Sequence, residues 1–266
     1  MTDSPFDLAA EAAGFLRGHF GLDKIDVALV LGSGWSSGAD QLGEPLGEIA
    51  LGDVPGFSKP VVAGHGGALK LARTAGGKVA AIFTGRTHYY EGRGVEPVVH
   101  GVRTAAAWGA QTMVLTNGCG GLNPAWAPGT VVLIKDHINF TNDTPLRGAT
   151  FIDMTEAYSK RLRDLAHTVD ESLPEGVYVQ FRGPQYETPA EVKMAAILGG
   201  DLVGMSTTLE TLAAREAGLE VLGLSLVTNA AAGLSDSNLD HTEVLETGRD
   251  AGPRLAALLS GIVGAL

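Results

Sequence analysis

Apolar residues recur between positions 6 and 20 as Phe6, Leu8, Ala9, Ala12, Ala13, Leu16 and Phe20, near the spacing of one helical face, which predicts an amphipathic helix. The next apolar segment is different in kind. Residues 25–31 form a short, nearly unbroken run that stops at Gly32-Ser33-Gly34, the pattern of a buried strand. Further strands are predicted at 70–73 and 79–83, joined by a Gly-Gly turn, and at 112–116, 131–134, 177–180, 202–206 and 220–227. Between them, 95–109, 159–172 and 210–217 read as helices. Thr188-Pro189-Ala190-Glu191 opens another, with proline in the first turn, where its missing N–H does no harm. Residues 242–266 predict a C-terminal helix interrupted around Gly252-Pro253.

Strand, polar or glycine-rich end, helix: the repeat predicts an α/β chain, with a central, mixed but largely parallel twisted sheet flanked by helices. Ligands of such sheets sit beyond the carboxyl ends of the strands. Most polar motifs of this chain fall there, which points to one composite site. The 266 residues contain no Pro/Ser-rich linker or charge block, so a single domain over 1–266 is expected. The 37 glycines cluster in short groups without a repeat, as tight strand-to-helix connections require.

The formal net charge of −11 and the absence of a basic stripe argue against nucleic acid and against an anionic membrane surface. A few local donors can still hold a small anion. The one cysteine, Cys119, allows no intrachain disulfide and no cysteine metal cluster. The N-terminal residues lack the features of a secretory signal and no apolar run is long enough to span a bilayer, so a cytoplasmic location is expected.

Chemistry concentrates in Gly85-Arg86-Thr87-His88-Tyr89-Tyr90-Glu91-Gly92, which follows the run 79–83. Arg86 offers a planar fork of donors, His88 and the tyrosines add further donors, and glycine lets a ligand approach the backbone. This suits a small, hydroxyl-rich anion; a polar loop with a surface ion pair is the alternative. Glu91 is placed to pair with His88 and keep it protonated. Arg86 in the middle disfavours a metal site. Ser33, in its Gly-Ser-Gly turn, suits a phosphate or belongs to an ordinary tight turn. The turn lacks the third glycine of a dinucleotide fingerprint and the Lys-Ser or Lys-Thr of a nucleotide-binding loop. His65, between glycines, is either an anion ligand or an idle loop residue. Ser206 and Thr207 precede a helix and serve either as caps or as anion donors. Glu187 is either an acid favoured by a helix start or an acceptor for two N–H groups of a heterocycle, with Tyr186 stacked on it. Asn229 is either a turn residue or an amide reading a base edge.

Taken together and in order, these motifs resemble the purine nucleoside phosphorylases of the trimeric, low-molecular-mass class. The resemblance runs from about Val27 to Leu245. It rests on Leu31-Gly32-Ser33-Gly34, Gly64-His65-Gly66, the 85–92 motif, Thr116-Asn117-Gly118-Cys119-Gly120-Gly121-Leu122, Gly183-Pro184-Gln185-Tyr186-Glu187-Thr188, Gly204-Met205-Ser206-Thr207 and Ser225-Leu226-Val227-Thr228-Asn229. It implies reversible phosphorolysis of purine ribonucleosides or deoxyribonucleosides to free base and sugar 1-phosphate. No cofactor is implied, inorganic phosphate being a co-substrate, and no metal.

By this resemblance Ser33, His65, Arg86, His88, Ser206 and the backbone of Gly118 match phosphate ligands. Tyr90, His241 and the backbone of Met205 match sugar contacts, with His241 at the 5′-hydroxyl. Tyr186, Glu187 and Asn229 match the base readers, and Asn229, Glu187 and His88 are the expected catalytic groups. Phe151 matches an aromatic residue lent to the neighbouring subunit of a homotrimer. Glu187 with Asn229 implies a 6-oxopurine, inosine or guanosine. The related class acting on 5′-methylthioadenosine carries Ser and Asp at those positions and an apolar residue in place of His241. A non-catalytic purine nucleoside-binding protein is the other alternative, which could dispense with Arg86, His88 or Ser33. One departure stands out: Gly118-Cys119 replaces the family's usual Ala-Ala, which alters the pocket's shape while keeping the backbone donor.

Overall fold

The apolar run before Gly32 forms β1 (Val27–Val30), and it is apolar throughout because both its faces are buried. Ala28 and Val30 enter one core cluster, Val27 and Leu29 the other, as the period of a strand demands. The computed structural model describes residues 4–57, 67–234 and 241–266, with residues 37 and 241–245 described by their backbone alone.

Among the described residues nine strands form one sheet. The others are β2 (Glu44–Ala50), β3 (Ala68–Arg73), β4 (Val79–Phe83), β5 (Thr112–Gly121), β6 (Val131–Asn139), β7 (Glu175–Gln180), β8 (Leu202–Gly204) and β9 (Glu220–Ala230). Their order is β2-β3-β4-β1-β5-β8-β7-β6-β9, and β9 also pairs with β5, so the second half closes on itself as a distorted barrel. The pairs β1–β4, β1–β5, β5–β9, β6–β7 and β7–β8 are parallel; β2–β3, β3–β4, β5–β8 and β6–β9 are antiparallel. The sheet is therefore mixed, as expected.

The helices are α1 (Pro5–Phe20), α2 (Glu96–Ala107), α3 (Lys160–Val169), α4 (Pro189–Ile197), α5 (Thr208–Glu216) and α6 (His241–Ala265). Residues of α1, α2 and α5, including Leu16, Val102 and Leu209, bury one face of the sheet; residues of α3 and α6, including Leu162, Leu259 and Ile262, bury the other. Val192 and Ala195 of α4 pack with Val179 and Val203 in a third, smaller cluster.

Four sequence expectations change. β5 continues past residue 116 through the whole Asn117–Gly121 motif, because β9 pairs with it out to Gly121↔Ala230 and β8 joins its other edge at Gly120↔Val203. The glycines there permit close packing rather than a turn: a Cβ on Gly120 would lie 3.1 Å from Val203 and one on Gly121 3.0 Å from Val227. β9 likewise carries Thr228 and Asn229 inside the strand. β2 has no strand pattern; it is an exposed edge strand containing Pro45 and a register shift before Gly47, where proline is tolerated. Finally, α6 is not interrupted at Gly252-Pro253, and Pro253 sits within the helix. The burial of Leu255, Ala256, Leu259, Ile262 and Val263 outweighs the local penalty.

Candidate active site

The turn after β1 is fixed from three sides. The Gly32 N–H donates to Thr116 Oγ1 at 3.0 Å, and a Cβ on Gly32 would lie 2.6 Å from the Thr116 carbonyl oxygen, so a side chain there would separate the turn from β5. The buried Trp35 indole donates to the Asn117 carbonyl at 2.9 Å. Gly34, at φ +85°, lies against Leu226 and Gly248 of α6. These contacts hold Ser33 at the rim of a cavity of about 400 Å3.

Across that cavity, the segment after β4 brings in Arg86. Its Nη1 donates to Ser206 Oγ at 2.8 Å and its Nη2 to the Thr116 carbonyl at 2.7 Å. Its Nε lies 3.4 Å from Glu210 Oε1, and both side chains of that pair are buried. Glu210 Oε2 in turn accepts the Thr207 N–H at 3.0 Å. Thr207 has φ +83°, a conformation strained for a β-branched residue. Its hydroxyl accepts from Asn117 Nδ2 at 2.9 Å, and the Asn117 Oδ1 accepts from Ser225 at 2.8 Å. Arg86 Nε, though buried, makes no hydrogen bond among the described residues; the hydrogen bonds of Glu210, Thr207 and Asn117 fix the backbone that presents Ser206.

The His88 imidazole stacks on Tyr90, ring centroids 4.7 Å apart. Burial, and then the Arg86 charge, push its pKa down to about 4, so at neutral pH the ring is uncharged. The expectation that Glu91 keeps it protonated is therefore wrong. Glu91 accepts the backbone N–H of His88 at 2.7 Å and pairs with Arg93 instead. A neutral imidazole can still donate one hydrogen bond to an anion.

At the other end of the cavity lie Tyr186, Glu187 and Asn229. Glu187 is not the acid that caps α4: that role belongs to Glu191, whose carboxylate accepts the Thr188 N–H at 2.7 Å. Glu187 precedes the cap and is 8% exposed, and its Oε1 has no hydrogen-bond partner among the described residues. Burial pushes its pKa up, and the charge of Glu191 adds to the effect. Asn229 donates to the Ala230 carbonyl and accepts from the Thr228 hydroxyl, each at 2.8 Å. One amide N–H and one lone pair remain for a ligand.

Ser33, Arg86, His88, Tyr90, Gly118, Tyr186, Glu187, Met205, Ser206 and Asn229 thus share one cavity. His65 and the side chain of His241 lie outside the described residues. Phe151 does not line the cavity and is 93% exposed. Cys119 is buried, its thiol donating to the Leu226 carbonyl. Sequence reasoning overlooked the side chains of Asn117 and Thr228, which line the cavity, and Glu210 behind it. A polar Asn117 within an otherwise apolar strand was the available signal for the first. Among the described residues no group of three or more His, Cys, Asp or Glu is placed to hold a metal ion, and no helix is long and apolar enough to cross a membrane.

A family model described as the phosphorylase superfamily matches residues 26–264, nearly the whole chain. The chain belongs to the phosphorylase superfamily. Within it, the chain is 59% identical over 262 residues to a purine nucleoside phosphorylase of a Cellulomonas species, covering 97% of this chain and 93% of the relative. A purine nucleoside phosphorylase of Schistosoma mansoni in complex with inosine superposes with a TM-score of 0.90 at 30% identity, over 98% of this chain and 96% of that one. The Schistosoma mansoni enzyme in complex with adenosine superposes with a TM-score of 0.89 at 31% identity, over 97% of this chain and 96% of that one. The activity of this phosphorylase is accordingly that of a purine-nucleoside phosphorylase, a glycosyltransferase of purine salvage.

Proposed function

We propose that this phosphorylase acts by preference on 6-oxopurine nucleosides, inosine and guanosine, and that the two ends of its cavity divide the substrates. The observation that carries the reading is the buried Glu187 Oε1, without a hydrogen-bond partner among the described residues, on the same cavity as the Arg86–Ser206 pair. A buried carboxylate oxygen without a partner is costly unless a ligand satisfies it.

Phosphate is held by Ser33, Arg86, His88, Ser206 and the backbone of Gly118, with His65 as a further ligand. Tyr90, His241 and the backbone of Met205 hold the sugar. Tyr186 packs on the base. Glu187 accepts the N1–H and any 2-amino N–H, and Asn229 binds the ring nitrogen and the 6-oxygen.

Breaking the bond from the anomeric carbon to the purine nitrogen passes through an oxocarbenium-like sugar. Phosphate is itself the nucleophile, so the protein need only hold it beneath the anomeric carbon, where proximity and its negative charge favour the transition state. Electrons flow into the purine as the bond lengthens. The hydrogen bond that Asn229 donates to the base strengthens as the base becomes anionic, which favours the transition state over bound substrate, while Glu187, accepting N1–H, orients the base. Adenosine has no N1–H, so its lone pair would face the Glu187 carboxylate.

The same reading supports a homotrimer in which Phe151, exposed on its own chain and outside its own cavity, closes a neighbour's site. The buried, unpaired Cys119 supports a reducing, cytoplasmic setting.

The test is turnover rather than binding, since the Schistosoma mansoni relative has been crystallised with adenosine as well as inosine. Inosine, guanosine, adenosine and 5′-methylthioadenosine are assayed with and without phosphate. Inosine or guanosine should exceed adenosine in kcat/KM by about 100-fold or more, with no base released when phosphate is omitted. Adenosine or methylthioadenosine cleaved as fast as inosine would overturn the assignment.

A further inference from the structure

We propose that Glu210 is a positioning residue for phosphate, acting through Arg86. The inference rests on the assignment of Arg86 to the phosphate end of the cavity. Glu210 does not line the cavity. It stands in the first turn of α5, is 1% exposed, and uses its two carboxylate oxygens for different tasks.

One oxygen accepts the N–H of the strained Thr207 and closes the helix cap. A glutamine would do this equally well, because capping needs only an acceptor. The other oxygen lies 3.4 Å from Arg86 Nε, a contact that capping does not explain. A fully buried carboxylate is costly to desolvate, and a buried ion pair is weak evidence for stability. Its better explanation is geometric. Nη1 and Nη2 are held by hydrogen bonds to Ser206 and Thr116, while Nε, which makes no hydrogen bond among the described residues, is held by charge attraction to Glu210 at 3.4 Å. One N–H on each terminal nitrogen is left over, and the pair forms a fork toward the cavity. Without the carboxylate behind it, Nε can turn toward the incoming anion and the fork loses its aim.

Glu210 thereby links the two halves of the phosphate end. The same side chain fixes the backbone after Ser206 and the charge that donates to Ser206. Sequence alone hides this, since Thr207-Thr208-Leu209-Glu210 reads simply as a capping box.

The test compares wild type, Glu210→Gln, Arg86→Ala and the double variant, measuring KM for phosphate, KM for inosine and Tm. Glu210→Gln should raise the phosphate KM about tenfold, keep the inosine KM within about twofold, and leave Tm near wild type because the cap survives. In the Arg86→Ala background the same change should have no further effect on phosphate, the non-additivity expected of a residue acting through another. An unchanged or lowered phosphate KM in Glu210→Gln would overturn the proposal. So would an equal effect in both backgrounds. If Glu210→Gln does not fold, Glu210→Asp, which retracts the charge by one methylene, is read by the same ratio of phosphate to inosine KM, and equal changes in the two would sink the idea. If Arg86→Ala itself leaves the phosphate KM unchanged, the phosphate assignment fails. If Arg86→Ala raises it and Glu210→Gln does not, only the role of Glu210 fails.

Discussion

Arg86 and Ser206 stand 120 residues apart in the chain and are joined by a hydrogen bond of 2.8 Å from Nη1 to Oγ. One follows β4 and the other follows β8, so the bond spans β1 and β5, which lie between them in the sheet, at the point where the barrel begins. It joins a cation to a hydroxyl at the junction of the two halves of the fold. Ser206 Oγ also lies 3.2 Å from the Thr207 hydroxyl, where either oxygen can donate, so the serine is held from two sides.

Replacing Arg86 by alanine should weaken phosphate far more than nucleoside. Charge-assisted hydrogen bonds to a buried anion contribute about 1.5–3 kcal/mol each. The phosphate KM should therefore rise by about 10- to 100-fold, and the inosine KM at saturating phosphate should change little. Steady-state kinetics varying each substrate in turn checks this. A phosphate KM within twofold of wild type would remove Arg86 from the phosphate site.

Asn229→Ala should lower kcat more than it raises KM for inosine. The amide is already held by Thr228 and Ala230, so it meets the base without reorganising. Loss of one such preorganised donor costs about 100- to 1000-fold in kcat. Measured kcat and KM separate this from simple loss of affinity: a raised KM at unchanged kcat would mean that Asn229 binds substrate and transition state alike.

Much of this arrangement is readable from the chain, and the unreadable parts have physical causes. β1 announces itself because a strand buried on both faces is apolar throughout. The motifs around Arg86, Glu187 and Ser206 announce themselves because polar groups and glycines cluster where apolar runs end. Gly118 to Gly121 mislead for the same reason. They resemble a turn, yet the strand continues, and glycine eases the packing because a Cβ at Gly120 or Gly121 would stand 3.1 Å from Val203 or 3.0 Å from Val227 and press those side chains back by a few tenths of an ångström. The state of His88 is hidden because burial, which no local pattern reports, decides its protonation. Glu210 is hidden because the ion pair that gives it meaning is made with a residue from a different strand end.

Cys119 should be inert in the native enzyme. It is 3% exposed, its thiol donates to the Leu226 carbonyl at 3.4 Å, and burial pushes its pKa up to about 12. The thiolate is the reactive species, so almost none is present at neutral pH. A chromogenic disulfide reagent should label the folded enzyme at least about 100-fold more slowly than the denatured chain. Equal rates would show that the thiol is accessible.

Glu187→Gln should trade activity for stability. In the unliganded enzyme burial raises the Glu187 pKa above its ordinary value of 4.5. The native state then holds the proton more tightly than the unfolded chain does. Stability contributed by this group is present at low pH and is lost as pH rises from the unfolded pKa through the native one. At neutral pH the native enzyme therefore carries the cost of an ionised carboxylate whose Oε1 has no partner among the described residues. Leaving a buried polar group unpaired costs about 1–3 kcal/mol, so glutamine, which removes the charge, should raise Tm by a few degrees. Activity should move the other way. Wild-type kcat/KM for inosine should fall on the acid side as Glu187 gains its proton and stops accepting N1–H, with a midpoint above the ordinary carboxyl value. The variant should lack that acid limb and turn over guanosine poorly, because the glutamine N–H2 opposes the donors of the base. Its discrimination against adenosine should narrow, since the same N–H2 can donate to the adenine N1 lone pair. Tm by calorimetry and the pH profiles of both proteins decide the matter. A variant less stable than wild type, or one retaining the acid limb, would show that Glu187 is neither the strained group nor the titrating one.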